Sequence, residues 1–285
     1  MAVTIQQIKS LQNRTGAGIM DCKKALIEAD GNEEKAIDIL REKGIAKAAA
    51  KAARVAAEGL AVVKICQKCG KKAAIVEVNC ETDFVSGSPK FHEFVDGVLD
   101  AIYTNEPKSL EEAKELTQGL FTDATVAMRE NFVLRRYEVL HAEGEESFGT
   151  YSHGNGRSTA LVLLSKEADP TLAKGIAMTV VSAAPRYLNV ESAPAEDRER
   201  ELAIARNEVA TDPKLANKPE AVKENIVVRK VDSRIGDLCL DHAVYALDPE
   251  GAKKMDQLEK ETGVKVLKFV RFTVGEASTE KGEEE

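Results

Sequence analysis

Apolar residues recur at helical spacing near the start of the chain: Ile5, Ile8 and Leu11, then Ile19, Cys22 and Leu26, then Ile37 and Leu40. Each set gives a helix one apolar stripe, so the pattern predicts three short helices closing on a small shared core. The interruptions Thr15-Gly16-Ala17-Gly18 and Asp30-Gly31-Asn32 permit tight reversal, and Asn32 is placed to cap a helix opening with Glu33 and Glu34. Residues 1–45 therefore read as a three-helix unit. Between Ala46 and Ala57 eight of twelve residues are Ala, punctuated by Lys47, Lys51 and Arg54. Ala favours helix yet offers little to bury, which predicts a semi-rigid helical linker over 46–57.

From Leu60 the period becomes that of strands. Leu60–Ile65 and Ala73–Cys80 flank the polar turn Cys66-Gln67-Lys68-Cys69-Gly70, which predicts a β-hairpin. After Glu81-Thr82-Asp83-Phe84-Val85-Ser86-Gly87, Ser88-Pro89 opens a helix whose apolar face is Phe91, Phe94, Val95, Val98, Leu99 and Ile102. Residues 109–130 read as a less regular helix. Phe132–Ala142, Ser147–His153 and Thr159–Leu164 then read as three antiparallel strands beginning a second sheet. Asp169-Pro170 starts a helix with Leu172, Ile176 and Val180 on one face. Charged helices over Ala195–Val209 and Glu220–Ile235, with Leu202, Val209, Val222 and Ile226 as a thin seam, predict a helical hairpin at about 195–235. A helix at Gly251–Thr262 and a strand at Val264–Val274 complete the second sheet. The fold class is α+β, with one sheet-plus-helix subdomain over 58–140 and another over 141–275.

Composition narrows the function classes. Hydrophobic residues make up 43% of the 285 and charged residues 31%, enough to build a buried core. The net charge of −8 argues against broad binding to phosphate backbones. The charge is uneven: residues 1–55 hold ten Lys or Arg against seven Asp or Glu, whereas 276–285 hold five Glu against one Lys and read as an acidic disordered tail. No apolar run approaches the roughly 20 residues that span a bilayer, and no export signal is evident. Five cysteines of irregular spacing suit reduced thiols, and together these features predict a cytoplasmic binding protein, not an enzyme.

Few candidate sites survive inspection. Cys66-x-x-Cys69 has metal-like spacing, but structural zinc takes four ligands and no second pair is near; His92, His141, His153 and His242 are scattered. A hairpin turn is the simpler reading. Cys22 or Cys80 as a nucleophile would need a histidine that nothing in the sequence assigns. Thr15-Gly16-Ala17-Gly18 with Lys23-Lys24 lacks the Gly-Lys-Ser/Thr ending and the preceding strand of a phosphate loop. Neither cofactor nor metal is called for. The segment Thr82-Asp83-Phe84-Val85 differs, because an aromatic and a carboxylate sit together between a strand and a capped helix. Two readings stand: a loop tip presenting both side chains, or Phe84 tucked into the core with Asp83 satisfying local amides.

Two segments carry a family resemblance: Thr15-Gly16-Ala17-Gly18-Ile19-Met20-Asp21-Cys22-Lys23-Lys24-Ala25-Leu26, and Glu77-Val78-Asn79-Cys80-Glu81-Thr82-Asp83-Phe84-Val85. Both resemble the bacterial elongation factor Ts family, and the order of segments through Gly149-Thr150-Tyr151-Ser152-His153-Gly154 to Phe269-Val270-Arg271-Phe272-Thr273-Val274-Gly275 is similar as well. The resemblance implies guanine-nucleotide exchange on elongation factor Tu, in its GDP-bound and nucleotide-free forms, without contact to nucleic acid or membrane. It implies that Thr82, Asp83, Phe84 and Val85 enter the partner's nucleotide domain, Phe84 as a wedge and Asp83 disturbing the Mg²⁺ site. It also implies that Ile19, Met20 and Asp21 dock a helix of the same partner. The three-helix head resembles ubiquitin-associated folds, so a simple adaptor is the competing reading. Gly175 and Thr179 stand where some family members carry histidines, and Asp241-His242-Ala243-Val244-Tyr245 replaces the family's usual Gln-Pro-Phe. Homodimer and heterotetramer with the partner both stay open.

Overall fold

The computed structural model describes residues 3–51, 54–215 and 217–276. Three helices form the head: α1 (Ile5–Thr15), α2 (Ile19–Glu28) and α3 (Glu33–Lys51). Thr4 caps α1 in a reciprocal capping box with Gln7, and Gly16 ends it in the left-handed region at φ 65°. Asn32 caps α3, its Oδ1 accepting from the Lys35 N–H at 3.0 Å. The core gathers Ile8, Leu11, Cys22, Ala25, Leu26, Ala36 and Leu40, with Ile37 partly buried beside it. Two residues of the expected stripes face outward instead, Ile5 and Ile19, each the first residue of its helix, while Val3 and Ala17 just before them pack on the core. The third helix is not short: it runs without a break into the Ala-rich segment as far as Lys51. High helix propensity continues a helix that tertiary packing has already nucleated. The helical linker expected over 46–57 is corrected at its end: residues 54–57 are not helical, with Arg54 held by Glu81 and Asn131 as the chain turns into the first strand. Residues 52 and 53 lie outside the described residues, as do residues 277–285 of the acidic tail.

Strands β1 (Glu58–Ile65), β2 (Lys72–Cys80) and β3 (Val133–His141) form the first antiparallel sheet in that spatial order. The expectation that the 132–142 strand opens the second sheet is therefore corrected. Its reason is topological: α5 (Pro89–Asn105) and α6 (Leu110–Met128) cover one face of the hairpin, and the returning chain pairs with the edge of β2 that β1 leaves open. Ser88 caps α5, with Pro89 in its first turn. Phe91, Val95, Val98, Leu99 and Ile102 pack on Ala74, Val76, Val78 and Cys80 of β2, joined by Ala113, Ala124, Phe132 and Leu134.

The second sheet is β4 (Ser147–His153), β5 (Ser158–Leu164) and β6 (Val266–Thr273), also antiparallel. Helix α7 (Pro170–Ala183) lies across it, capped by Asp169, with Ile176, Ala177 and Val180 against Ala160, Val162 and Leu164. Gly149 permits this approach, since a Cβ there would stand 2.5 Å from the carbonyl oxygen of Ala173. Helices α8 (Ala195–Thr211) and α9 (Glu220–Gly236) pair through Ala205, Val209, Val227, Val231 and Ile235. Val222, expected in that seam, is largely outside it at 39% exposure. A short α10 (Met255–Thr262) starts four residues after the expected Gly251 and leads to β6.

The two sheets meet face to face. Ala61, Ala73, Ile75 and Leu140 of the first pack against Leu161 and Phe272 of the second. Thr159 Oγ1 donates to the Ala61 carbonyl at 2.6 Å, and the Ala61 N–H donates to Gly156 at 2.7 Å. Every residue from Ala73 to Cys80 is buried, so β2 is the centre of the body, enclosed on both faces. By strand alternation Glu77 and Asn79 share the second-sheet face with Ala73 and Ile75. Glu77 is 0% exposed. A β-bulge answers that charge: register shifts between Glu77 and Val78, Arg136 pairs with Glu77, Leu134 pairs with Val78, and Arg135 is the extra residue. The bulge turns two consecutive arginines toward one carboxylate. Arg136 Nε lies 2.7 Å from Glu77 Oε2 and Arg135 Nε 3.9 Å from Oε1. Both guanidiniums continue to the end of β6, where Arg136 donates to the Thr273 carbonyl at 3.3 Å and Arg135 to that of Glu276 at 2.6 Å.

Removing one member of such a cluster leaves a buried charge without compensation, which costs about 3–5 kcal/mol. Glu77→Ala is expected to lower stability by that order in urea denaturation followed by circular dichroism, with the double variant Glu77→Leu/Arg136→Met recovering a large share of the loss. Equal stability of Glu77→Ala and the native chain would show that the cluster contributes nothing.

Candidate functional site

Where β2 ends, the chain makes a single helical turn, α4 (Asp83–Ser86), before Ser88 begins α5. The segment expected as a loop is thus a one-turn helix. Thr82 makes it so: its backbone is extended at φ −129°, and its Oγ1 accepts from the Val85 N–H at 3.4 Å as a cap. The turn closes on itself through the Gly87 N–H to the Asp83 carbonyl at 3.0 Å and the Ser86 hydroxyl to the same oxygen at 3.1 Å. Ser88 joins it to α5, donating by its hydroxyl to the Val85 carbonyl at 2.8 Å.

One carboxylate secures the base of this turn. Glu130, just past the C-terminal end of α6, accepts the N–H of Glu81 at 3.0 Å, the N–H of Thr82 at 3.2 Å and the Thr82 hydroxyl at 2.5 Å. In the reverse direction Glu81 accepts the Asn131 N–H at 2.7 Å, and Arg54 reaches its carboxylate at 3.3 Å. Asn131 closes the loop by donating to the Arg54 carbonyl at 2.9 Å. The tip is therefore cross-braced at its root by charge-assisted hydrogen bonds, the stronger class.

The four side chains of the turn divide accordingly. Val85 is partly buried and packs on the core beneath, while Thr82 caps. Phe84 is 87% exposed, which decides between the two sequence readings: it is not tucked into the hairpin–helix core. Asp83 is exposed beside it, and among the described residues its carboxylate has no hydrogen-bond or ion-pair partner. A bare phenyl ring next to a free carboxylate, on a turn whose root is fixed, can be presented to another molecule without rearrangement of the chain.

On the head, Ile19 and Met20 are 58% and 60% exposed in the first turn of α2. Asp21, next to them, turns the other way and accepts from Arg129 of the α6 end at 3.0 Å. Val126 of α6 packs into the head core, and Arg41 of α3 reaches Asp123 at 3.4 Å. Arg129 and Glu130 are adjacent, so one corner of the chain anchors the head through Asp21 and the tip through Thr82. Sequence reading missed Glu130. Its partners lie 48 and 49 residues away, and no local spacing announces such a contact; a left-handed Arg129 at φ 63° followed by an acid is the only trace. Cys66 and Cys69 gain no third ligand: among the described residues no three His, Cys, Asp or Glu stand together to hold a metal, and no helix is long and apolar enough to cross a membrane.

Comparison with known proteins finds relatives over almost the whole chain. A family model described as elongation factor TS matches residues 81–276. The elongation factor Ts of Lactiplantibacillus plantarum is 38% identical over 287 residues, covering 99% of this chain and 95% of that protein. The elongation factor Ts proteins of Lacticaseibacillus casei and Lacticaseibacillus paracasei are each 38% identical over 288 residues with the same coverage.

Loss of the Glu130 carboxylate removes three acceptor contacts from the root of the tip. A hydrogen bond to a charged group contributes about 1.5–3 kcal/mol. Glu130→Ala is therefore expected to speed amide hydrogen exchange at Glu81 and Thr82 by about tenfold or more, with the amides of Val98 to Ile102 unchanged. Unaltered exchange at the tip would show that Glu130 does not brace it.

Proposed function

Because the chain belongs to the elongation factor Ts family, we propose that it is a translation elongation factor that releases GDP from elongation factor Tu in the cytoplasm. The exposure of Phe84 on a braced turn carries this reading. Phe84 enters the partner's nucleotide-binding domain as a wedge between its elements. Asp83, unpaired beside it, disturbs the Mg²⁺ environment, and because that ion bridges phosphate oxygens to the protein, loss of its ligands weakens nucleotide binding. Thr82 and Val85 hold the pair in position. No covalent chemistry is involved. The factor binds the nucleotide-free partner better than the loaded one, and by reciprocity each weakens the other by the same factor.

The head, read as a ubiquitin-associated-like unit over 1–45, docks a partner helix on Ile19 and Met20. Asp21 supports that surface by fixing the head to Arg129. The linker over 46–57, helical as far as Lys51, the two sheet–helix subdomains at 58–140 and 141–275 and the hairpin at about 195–235 complete the division of labour, with the tip at the junction of strand and helix in the first subdomain.

The test is release of fluorescent GDP from elongation factor Tu. The native chain is expected to accelerate it strongly, and Phe84→Ala to reduce the accelerated rate by about 30-fold, the effect of a loss near 2 kcal/mol at an interface hot spot. Thermal stability should be unchanged, since the ring buries almost nothing within the chain. A native chain that binds the partner without altering GDP release would make this an adaptor and remove the proposal.

A further inference from the structure

The five cysteines are of two kinds. Cys22, Cys80 and Cys239 are buried, and burial raises each thiol, Cys80 to about 12 and Cys239 to about 11. Cys66 and Cys69 lie in the turn between β1 and β2, the first half-buried and the second exposed. Neither belongs to the tip or to the head surface.

Their geometry is specific. The Sγ atoms are 2.9 Å apart. The turn closes with the Gly70 N–H on the Cys66 carbonyl at 2.9 Å, Gly70 taking φ 64°. Residues three apart across a tight turn lie within about 7 Å at Cα, the span that a disulfide bridges. Backbone donors face both sulfurs: the Cys69 N–H meets Cys66 Sγ at 3.4 Å, and the Lys71 N–H meets Cys69 Sγ at 3.5 Å.

The surroundings favour a thiolate at Cys66. Its thiol is pulled down to about 6, first by the Cys69 thiol, then by the Cys69 N–H and the Tyr103 hydroxyl. Lys64 of β1 and Lys72 of β2 stand 5.1 and 4.5 Å from the centre of the Tyr103 ring. Lys68 and Lys71 lie in the turn, with Lys71 held by the carbonyls of Gly144 and Glu146. Acidic groups on this side are Asp100, paired with Lys64, Glu106, paired with Lys72 and His141, and the loop carrying Glu143, Glu145 and Glu146 against Lys71.

We propose that Cys66 and Cys69 form a redox-active dithiol, oxidised reversibly to a disulfide within the turn by exchange with a low-molecular-weight disulfide. The Cys66 thiolate attacks one sulfur of the incoming disulfide, forming a mixed disulfide and releasing one thiolate. Cys69, deprotonated, then attacks Cys66 Sγ and expels the second. Two electrons pass from the cysteine pair to the incoming disulfide, and the two protons leave with the released thiols. The sulfurs need only close from their present separation to a bond of about 2.05 Å. Exposure at a turn makes such a disulfide accessible to reduction by the same route.

The experiment equilibrates the full chain in buffers of reduced and oxidised glutathione, then alkylates free thiols and locates them by peptide mass. The expected result is that two thiols, Cys66 and Cys69, are lost together with a two-electron dependence, while Cys22, Cys80 and Cys239 stay reduced. Cys69→Ser is expected to halt the reaction at a glutathione adduct on Cys66. In the reduced chain, alkylation of Cys66 should rise with a midpoint near pH 6, so that at pH 7 it holds about 30-fold more thiolate than a cysteine of ordinary value near 8.5. A native chain that accumulates stable glutathione adducts with no internal disulfide would overturn the proposal. So would a zinc ion held between two chains by both pairs and resistant to oxidation.

Discussion

A carboxylate with no exposure to water must be met by positive charge and hydrogen-bond donors, and the contact between the two sheets is organised around one such group. Glu77 sits on the face of β2 that looks toward the second sheet. Had β3 paired in regular register, only Arg136 would have shared its side. The bulge brings Arg135 across as well, and each arginine also donates once to a carbonyl at or just past the end of β6. Arg136 also stacks over Phe272, 4.5 Å from the ring centre, so the apolar and ionic parts of the interface lock at one place. Buried ion pairs seldom add net stability, because desolvation offsets their attraction. Their use here is registration. A one-residue slip of β3 would strand the charge, so the strand alignment is held by what its loss would cost.

That alignment matters because β2 is the element from which the exposed tip is launched. Glu81 and Thr82 follow its last residue directly, and Glu130 reaches them from the end of α6, which leads straight into β3. The braces at the tip and the bulge at Glu77 thus lie on the same pair of neighbouring strands. Phe84 can be left bare because nothing about its position depends on its own burial: Val85 supplies the anchor and Thr82 the cap. A ring placed outward on a loop that depended on that ring for its packing would collapse onto the surface. Here the turn is over-determined by backbone and carboxylate bonds, so an apolar group stays presented at the surface.

Much of this was legible in the sequence, and the failures share a cause. Helices with a capping residue and a clean stripe, such as α5 after Ser88-Pro89 and α7 after Asp169-Pro170, appear where periodicity puts them. The hairpin of β1 and β2 does as well. What periodicity leaves undetermined is which sheet a strand joins: β3 carries the same alternation whether it pairs with β2 or β4, and only the long excursion through α5 and α6 decides. Ile19 illustrates the same limit at residue level, since its spacing fits the stripe but Ala17 takes the place in the core and Ile19 faces outward. At the site, the residue types were visible and their exposure was not. The brace from Glu130 spans nearly fifty positions and leaves no local pattern.

The strand that carries the tip also carries, at its other end, the turn with the paired thiols. From Lys72 to Cys80 the chain takes eight extended steps of roughly 3.4 Å, so the two regions stand about 27 Å apart. Coupling over that distance requires an element with two discrete arrangements that both sites bias. Strand β2 offers none, and α5, which begins at the tip through Ser88 and brings Tyr103 to Cys66, is packed along its length on the same core. Enclosed on both faces and pinned at Glu77, the strand is held in one register, and the two sulfurs lie in the turn outside its paired length. The same rigidity that lets Phe84 stand exposed argues that chemistry at Cys66 and Cys69 stays local to the turn.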